Sequence, residues 1–328
     1  MNILTGDIGG THTRLATVTQ NDGHFHVSDV AVYTSADFDG LLPMIESFLR
    51  EHPQTPLQQA AFGVAGPVVN GRCRTTNLPW ELSADELSAA SGIPQVYLLN
   101  DLEALAWGID TLDDAAQVTL QAGQAPRPGN QAVIAAGTGL GQAGLCYDGA
   151  RHHPFACEGG HTDFAPQTER DSTLLQALQA RYGHVSWERI VSGAGLVELY
   201  RQLLDSHAAP TPDWLEDPQQ DTAAAISQRA LAGDDALCVE ALAWFVELYG
   251  REAGNLALKL NATGGVFLGG GIAPKILPAL QSGRFIQGFL DKGRMRPLLE
   301  AMPVRVICEK YIALYGLARY ATLAREVI

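Results

Sequence analysis

Hydrophobic and polar positions divide the chain into alternating strand and helix patterns. Residues 2–33 carry β-branched runs, period-two alternation in TRLATVT and an Asn21-Asp22-Gly23 turn signal, which predict three antiparallel strands. Apolar residues at helical spacing predict a helix over 37–51, then a strand over 59–65 and a hairpin turn at Asn70-Gly71. The stretch VYLLNDLEALAWG (96–108) passes straight from strand to helix, with Asn100-Asp101 at the junction. Asn100 with Glu103 three residues on is a capping pattern, so Asp101 is expected as the first helical residue.

Beyond a Gln-, Gly- and Pro-rich loop (121–130), QAVIAAGTGLGQAGLCYDGA repeats the outline of strand, glycines, strand and tight turn. Two such hairpins in two halves predict a duplicated architecture, although their sequence identity is negligible. Helices are predicted at 171–182, 194–205, 222–232 and 234–260, the last with Leu237, Leu242, Phe245 and Leu248 at helical spacing. A strand and glycine turn over 264–274 lead to a helix start at Pro274. The closing YIALYGLARYATLARE reads as a helix that packs back on the first domain.

Composition narrows the class. A chain of 328 residues suits one large or two ordinary domains, since a compact domain holds about 100–200. With 46% hydrophobic and 18% charged residues it reads as globular. A net charge of −14 without any run of Lys or Arg argues against nucleic acid and anionic lipid as partners. No basic segment with an apolar core opens the chain, and no apolar run reaches the roughly eighteen residues of a membrane span, so a cytoplasmic setting is expected. Cys73, Cys146, Cys157, Cys238 and Cys308 are scattered with no CxxC pair, which predicts reduced thiols.

Three glycine-rich turns carry candidate chemistry. Gly6-Asp7-Ile8-Gly9-Gly10-Thr11 puts a carboxylate in a strand ahead of two glycines and a hydroxyl. Backbone N–H groups and the Thr11 hydroxyl there can meet phosphate while Asp7 faces a magnesium ion; the plainer alternative is a hairpin kept for its turn geometry. It is no Walker loop, because the Gly-Lys-Ser/Thr ending and the following helix are absent. The second, Gly137-Thr138-Gly139-Leu140-Gly141-Gln142-Ala143-Gly144, contains GxGxxG with Glu158 about twenty residues on, but dinucleotide binding needs a helix directly after it. Here LCYDGA reads as strand and turn. The third, Leu268-Gly269-Gly270-Gly271-Ile272-Ala273-Pro274, is either a connecting loop or a place where a flat ring or phosphate comes close to backbone.

A polar constellation follows at Cys157-Glu158-Gly159-Gly160-His161-Thr162-Asp163. His153, Cys157 and His161 are spaced by four, as zinc ligands on a helix would be, yet Pro154 and Gly159-Gly160 disfavour that helix. Glu158 and His161 around two glycines instead suit hydrogen bonds to a polyhydroxylated ligand, with a solvated loop as the alternative.

The order GDIGGT, VAGPV, LNDLEALA, GTGLG, EGGHTDFAP, HVSWERIVSGAGL and GGGIAPK resembles the bacterial glucokinases of the hexokinase, actin and Hsp70 superfamily over nearly the whole chain. The resemblance implies an α/β, two-domain actin-like ATPase (ribonuclease H-like) fold, with duplicated mixed β-sheets flanked by helices and a deep interdomain cleft. The domains would be 1–110 with 311–328, and 111–310. It implies ATP and Mg²⁺ as cofactors and phosphorylation of D-glucose at its 6-hydroxyl; mannose, fructose or an amino sugar is the alternative acceptor. Asp101 then matches the catalytic base, and Asn100, Glu158, His161, Glu188 and, more weakly, Asn77 match sugar ligands. Gly6, Asp7, Ile8, Gly9, Gly10 and Thr11, with Gly137, Thr138 and Gly139, match phosphate and magnesium contacts, Asp7 through water. Gly270-Gly271 match the nucleotide wall. His12 departs from the Asn usual after Gly-Gly-Thr, and the cysteine-rich zinc motif of the related ROK-type kinases is missing after EGGH, which fits the zinc-free branch. Family members are often dimers, so a homodimer is expected. A sugar-binding regulator and an NAD-linked dehydrogenase are the rival classes. The intact Asp7, Thr138 and Asp101 argue against the first, and the missing helix after Gly139 against the second.

Overall fold

A computed structural model describes residues 2–21, 23–53, 57–75, 77–124, 128–217 and 219–326. Asp22 of the first turn signal and residues 125–127 of the Gln/Gly/Pro loop lie outside them. The chain divides into two compact units, Met1–Ala116 with His153–Ala156 and Glu309–Ile328, and Gln117–His152 with Cys157–Cys308.

The first unit opens with β1 (Asn2–Ile8), β2 (His12–Asn21) and β3 (His24–Thr34), all antiparallel neighbours as their alternation predicts. The expected helix begins late, at α1 (Leu41–Glu51), behind a 3-10 turn at Ser35–Asp37. Gly40 separates the two, and Pro43 falls in the first helical turn, where its missing N–H costs nothing. Then come β4 (Gln59–Val64), the short hairpin β5 (Arg72–Arg74) and β6 (Glu81–Ser83), α2 (Ala84–Ser91), β7 (Gln95–Asn100) and α3 (Asp101–Gly108). Val69 and Arg72 exchange both backbone hydrogen bonds, at 2.9 and 3.0 Å, around the Asn70-Gly71 turn. The sheet order is β3-β2-β1-β4-β7, with β1, β4 and β7 parallel.

The second unit holds β8 (Gln117–Gln121) and the antiparallel pair β9 (Gln131–Ala136) and β10 (Leu140–Tyr147); of β11 (His152–Cys157) it holds the two end residues, while His153–Ala156 belong to the first unit. Four long helices follow, α4 (Glu169–Tyr182), α5 (Gly193–Ser206), α6 (Thr222–Ala232) and α7 (Ala236–Leu260), close to their predicted limits. Next are β12 (Gly265–Gly269), the short α8 (Leu277–Leu280), α9 (Arg284–Leu290), α10 (Arg296–Glu300) and β13 (Val304–Ile307). The helix expected from Pro274 is a 3-10 turn (Ala273–Ile276) before α8, with a proline in the first turn of each. Strands run in the order β10-β9-β12-β13-β8, with β9, β12 and β13 parallel. Each unit thus has a glycine-turned hairpin whose first strand pairs in parallel with a later one, which is the duplication the two halves predict.

Trp244, Phe245, Tyr249 and Leu256 of α7 fill the second unit's core with Leu199 of α5 and Phe285 and Phe289 of α9. Below them Asp171 takes the Trp244 Nε1–H at 2.9 Å and Arg251 Nη1 at 2.6 Å. In the first unit, Leu4, Leu15 and Phe62 face α1 and α2, while Ile3, Ala61 and Leu99 face α3 and the last helix, α11 (Ile312–Glu326). That helix packs on β1, β4 and α3, as its apolar pattern predicts.

Helices α3 and α11 meet backbone to backbone: a Cβ on Gly316 would collide with the Ala104 carbonyl, and one on Gly108 with that of Ile312. Gly316→Val should therefore destabilise this unit by about 1–3 kcal/mol through overpacking, read as a lower urea midpoint. An unchanged midpoint would show that the two helices tolerate separation.

Candidate active site

In the first unit the candidate residues gather where the parallel strands end. Ile8, Val64 and Asn100 lie in register across β1, β4 and β7, so the Asp7 turn and the Asn100-Asp101 junction share one edge of the sheet. The turn after β1 is closed by Gly9 N–H donating to the His12 carbonyl at 3.1 Å. Ser35, which the sequence does not single out, braces it: its Oγ donates to the Gly9 carbonyl at 2.7 Å and its N–H to the Thr11 carbonyl at 2.9 Å. Gly10 lies against Asn77, whose Cβ would be 2.8 Å from a Cβ on that glycine. Thr11, His12 and Asn77 are exposed.

Asn100 caps α3. Its Oδ1 accepts from Leu102 N at 3.0 Å and Glu103 N at 3.3 Å, while its Nδ2 donates to the Gly66 carbonyl at 3.3 Å. Asp101 is the first helical residue, and its Oδ1 accepts from Leu102 N at 2.9 Å. Burial, and then the Asp101 charge, push the Cys73 thiol up.

In the second unit the Gly137-Thr138-Gly139 turn joins β9 directly to β10, so the strand, not a helix, follows the GxGxxG string. Gly137 N–H donates to Gly139 O at 2.8 Å, and Gly193 N–H to Gly137 O at 2.9 Å, leaving Thr138 exposed. Ile272 N–H donates to the Ala136 carbonyl at 3.2 Å, and Gly270 packs on that same carbonyl, which brings the triple glycine beside the turn. Glu158, His161 and Glu188 form a cluster: His161 Nε2 lies 3.9 Å from Glu158 Oε2, and His161 Nδ1 lies 3.9 Å from Glu188 Oε1. Glu188 Oε2 accepts from Leu140 N at 2.9 Å, and a side chain at Gly139 would strike it. His161 sits in a 3-10 turn (Gly159–His161), whereas His153 and Cys157 are in β11, so no helix aligns the three.

Each unit therefore presents a glycine turn closed by its own backbone hydrogen bond, with carboxylate and amide or imidazole groups nearby. Such sites, on duplicated mixed sheets flanked by helices, define a sugar kinase of the actin-like ATPase fold. A glucokinase family model matches residues 4–324. A glucokinase of Nostoc punctiforme is 42% identical, over 96% of this chain and 97% of its own. The crystal structure of a glucokinase from an Antarctic psychrotroph superposes with a TM-score of 0.85 at 34% identity, covering 98% of this chain and 99% of that one. A ROK family glucokinase of Streptomyces griseus, solved with glucose and AMPPNP, shares the fold at a TM-score of 0.66 and 20% identity, covering 99% and 100%. The chain belongs to the glucokinase family.

Asp7 carries an electrostatic signature. Burial pushes its carboxyl above the usual carboxylate range, and the Arg14 guanidinium at 3.8 Å offsets only part of this. The side chain keeps 38% of its surface, so solvent screening limits the energy involved. A carboxyl raised on folding adds stability below its unfolded value and loses it as pH rises through the folded value. Metal-free Asp7→Asn should accordingly show a slightly higher melting temperature at neutral pH and a flatter dependence just above the ordinary carboxylate range. A lower melting temperature at neutral pH would mean that the Arg14 pair dominates.

Proposed function

We propose that this chain carries out its family's reaction, ATP-dependent phosphorylation of D-glucose to glucose 6-phosphate, with Asp101 as the base. The observation that carries the assignment is the shared sheet edge of Asp7 and Asp101. With β4 between β1 and β7, two strand spacings separate their ends by about 10 Å, room for a phosphoryl group and the hydroxyl that receives it.

Asp101 takes the proton of the sugar's 6-hydroxyl as that oxygen attacks the γ-phosphorus, and ADP leaves. Asn100 spends its Oδ1 on the helix cap and one amide hydrogen on Gly66, so its other amide hydrogen serves the sugar. Glu158, His161 and Glu188 accept from and donate to the remaining hydroxyls. Gly10 and Thr11, and likewise Thr138 and Gly139, turn backbone and hydroxyl donors toward phosphate, while Gly9 and Gly137 close the two turns with their own N–H groups, and Gly270-Gly271 accept the flat nucleotide ring. Asp7, a carboxylate only partly neutralised by Arg14, fits magnesium held by one carboxylate, water and phosphate oxygens. Bound there, Mg²⁺ would neutralise phosphate charge. Positioning dominates such transfers, and all these groups act by holding the reactants in line.

All five cysteines are free thiols, and among the described residues no helix is long and apolar enough to cross a membrane. The free thiols support a cytoplasmic setting.

Asp101→Asn keeps the size and the N-terminal position but cannot take a proton. Its kcat should fall about 10²–10⁴-fold with the glucose KM within about threefold. Steady-state ADP release decides, and near-normal turnover would remove Asp101 from the role.

A further inference from the structure

A carboxylate outside the proposed sugar site lies under it. Glu252, in the middle of α7, is fully buried, and Gln142 of β10 is 1% exposed. Gln142 Nε2 donates to Glu252 Oε1 at 2.8 Å, and Asn255 Nδ2 to Glu252 Oε2 at 2.9 Å. The other end of the Gln142 amide, Oε1, occupies the space over Gly159 that a side chain would need. The Cys157 thiol donates to the Gln142 carbonyl at 3.5 Å, and Gly160 lies on the Leu140 carbonyl. The turn that carries Glu158 and His161 thus rests on β10 through two glycines, with the Gln142 amide beneath the first.

We propose that Glu252 is a positioning residue for sugar binding: by accepting from Gln142 it fixes which end of that amide faces Gly159, and so sets the turn bearing Glu158 and His161. This rests on the sugar-site reading above. An amide in a closed interior has two orientations, and only an acceptor on the α7 side selects the one seen. Burial raises the Glu252 carboxyl, opposed by hydrogen bonds from Gln142 and Asn255 and by Lys259 and Lys292. Charged or neutral, the group retains an oxygen that accepts from Gln142.

The test uses the whole enzyme, with His161→Ala as the reference for the sugar site. Glu252→Ala should raise the glucose KM about tenfold with the ATP KM within about twofold, since a small displacement of binding groups costs this much. Glu252→Gln, which keeps an acceptor for Gln142, should return the glucose KM to within about threefold of the unsubstituted enzyme. A purely structural role would lower the melting temperature in both variants and leave the glucose KM of the folded enzyme unchanged, which overturns the proposal. If Glu252→Ala does not fold, Gln142→Leu takes its place: a selective rise in glucose KM supports the proposal, and no rise overturns it. An effect of His161→Ala without one of Glu252→Ala refutes the positioning role alone. A normal glucose KM in His161→Ala refutes the sugar-site reading and this inference with it.

Discussion

The hydrogen bond from the Leu140 N–H to Glu188 Oε2 is the contact that ties the second unit's candidate site together. A backbone donor to a carboxylate is roughly twice as strong as a neutral pair, and it can form here only because residue 139 has no side chain. With one oxygen so engaged, Glu188 turns the other toward His161, 3.9 Å away. One carboxylate therefore joins a glycine turn suited to phosphate with a turn suited to sugar hydroxyls. Any movement of either turn is felt at the other through this side chain.

The first unit reaches the same end by other means. Ser35 ties down the Gly9 and Thr11 carbonyls, the Gly9 N–H closes the turn on the His12 carbonyl, and the cap on α3 holds Asp101 at a helix start. Phosphoryl transfer asks a protein for groups already in place before the reaction begins. In both units the candidate groups sit at the ends of sheet strands, and the close packing of α3 on α11 through Gly108 and Gly316 anchors the helix that Asp101 opens.

What could be read from the sequence is what is local. Hairpin turns, the long helices α4 to α7 and the Asn100 cap follow from period, turn chemistry and a three-residue spacing. The helix limits near Gly40 and Pro274 shifted because a glycine or proline at a boundary allows either an α-helix or a 3-10 turn. Glu188 was readable only through the family resemblance: its partner Leu140 is 48 residues earlier, and nothing in SWER marks a bridging carboxylate. Glu252 gave no signal at all, since a glutamate within an amphipathic helix is ordinarily solvated, and its partner Gln142 is 110 residues away. Ser35 is likewise a plain polar residue after a strand until the fold sets it against Gly9.

The central claim is that these groups direct the phosphoryl group to one hydroxyl of glucose. Incubation of the enzyme with ATP, Mg²⁺ and D-glucose, followed by phosphorus-31 and proton NMR of the product, tests it directly. The account predicts a single phosphate monoester at the 6-position formed together with ADP. An anomeric phosphate, or ADP and inorganic phosphate with no sugar ester, would contradict it.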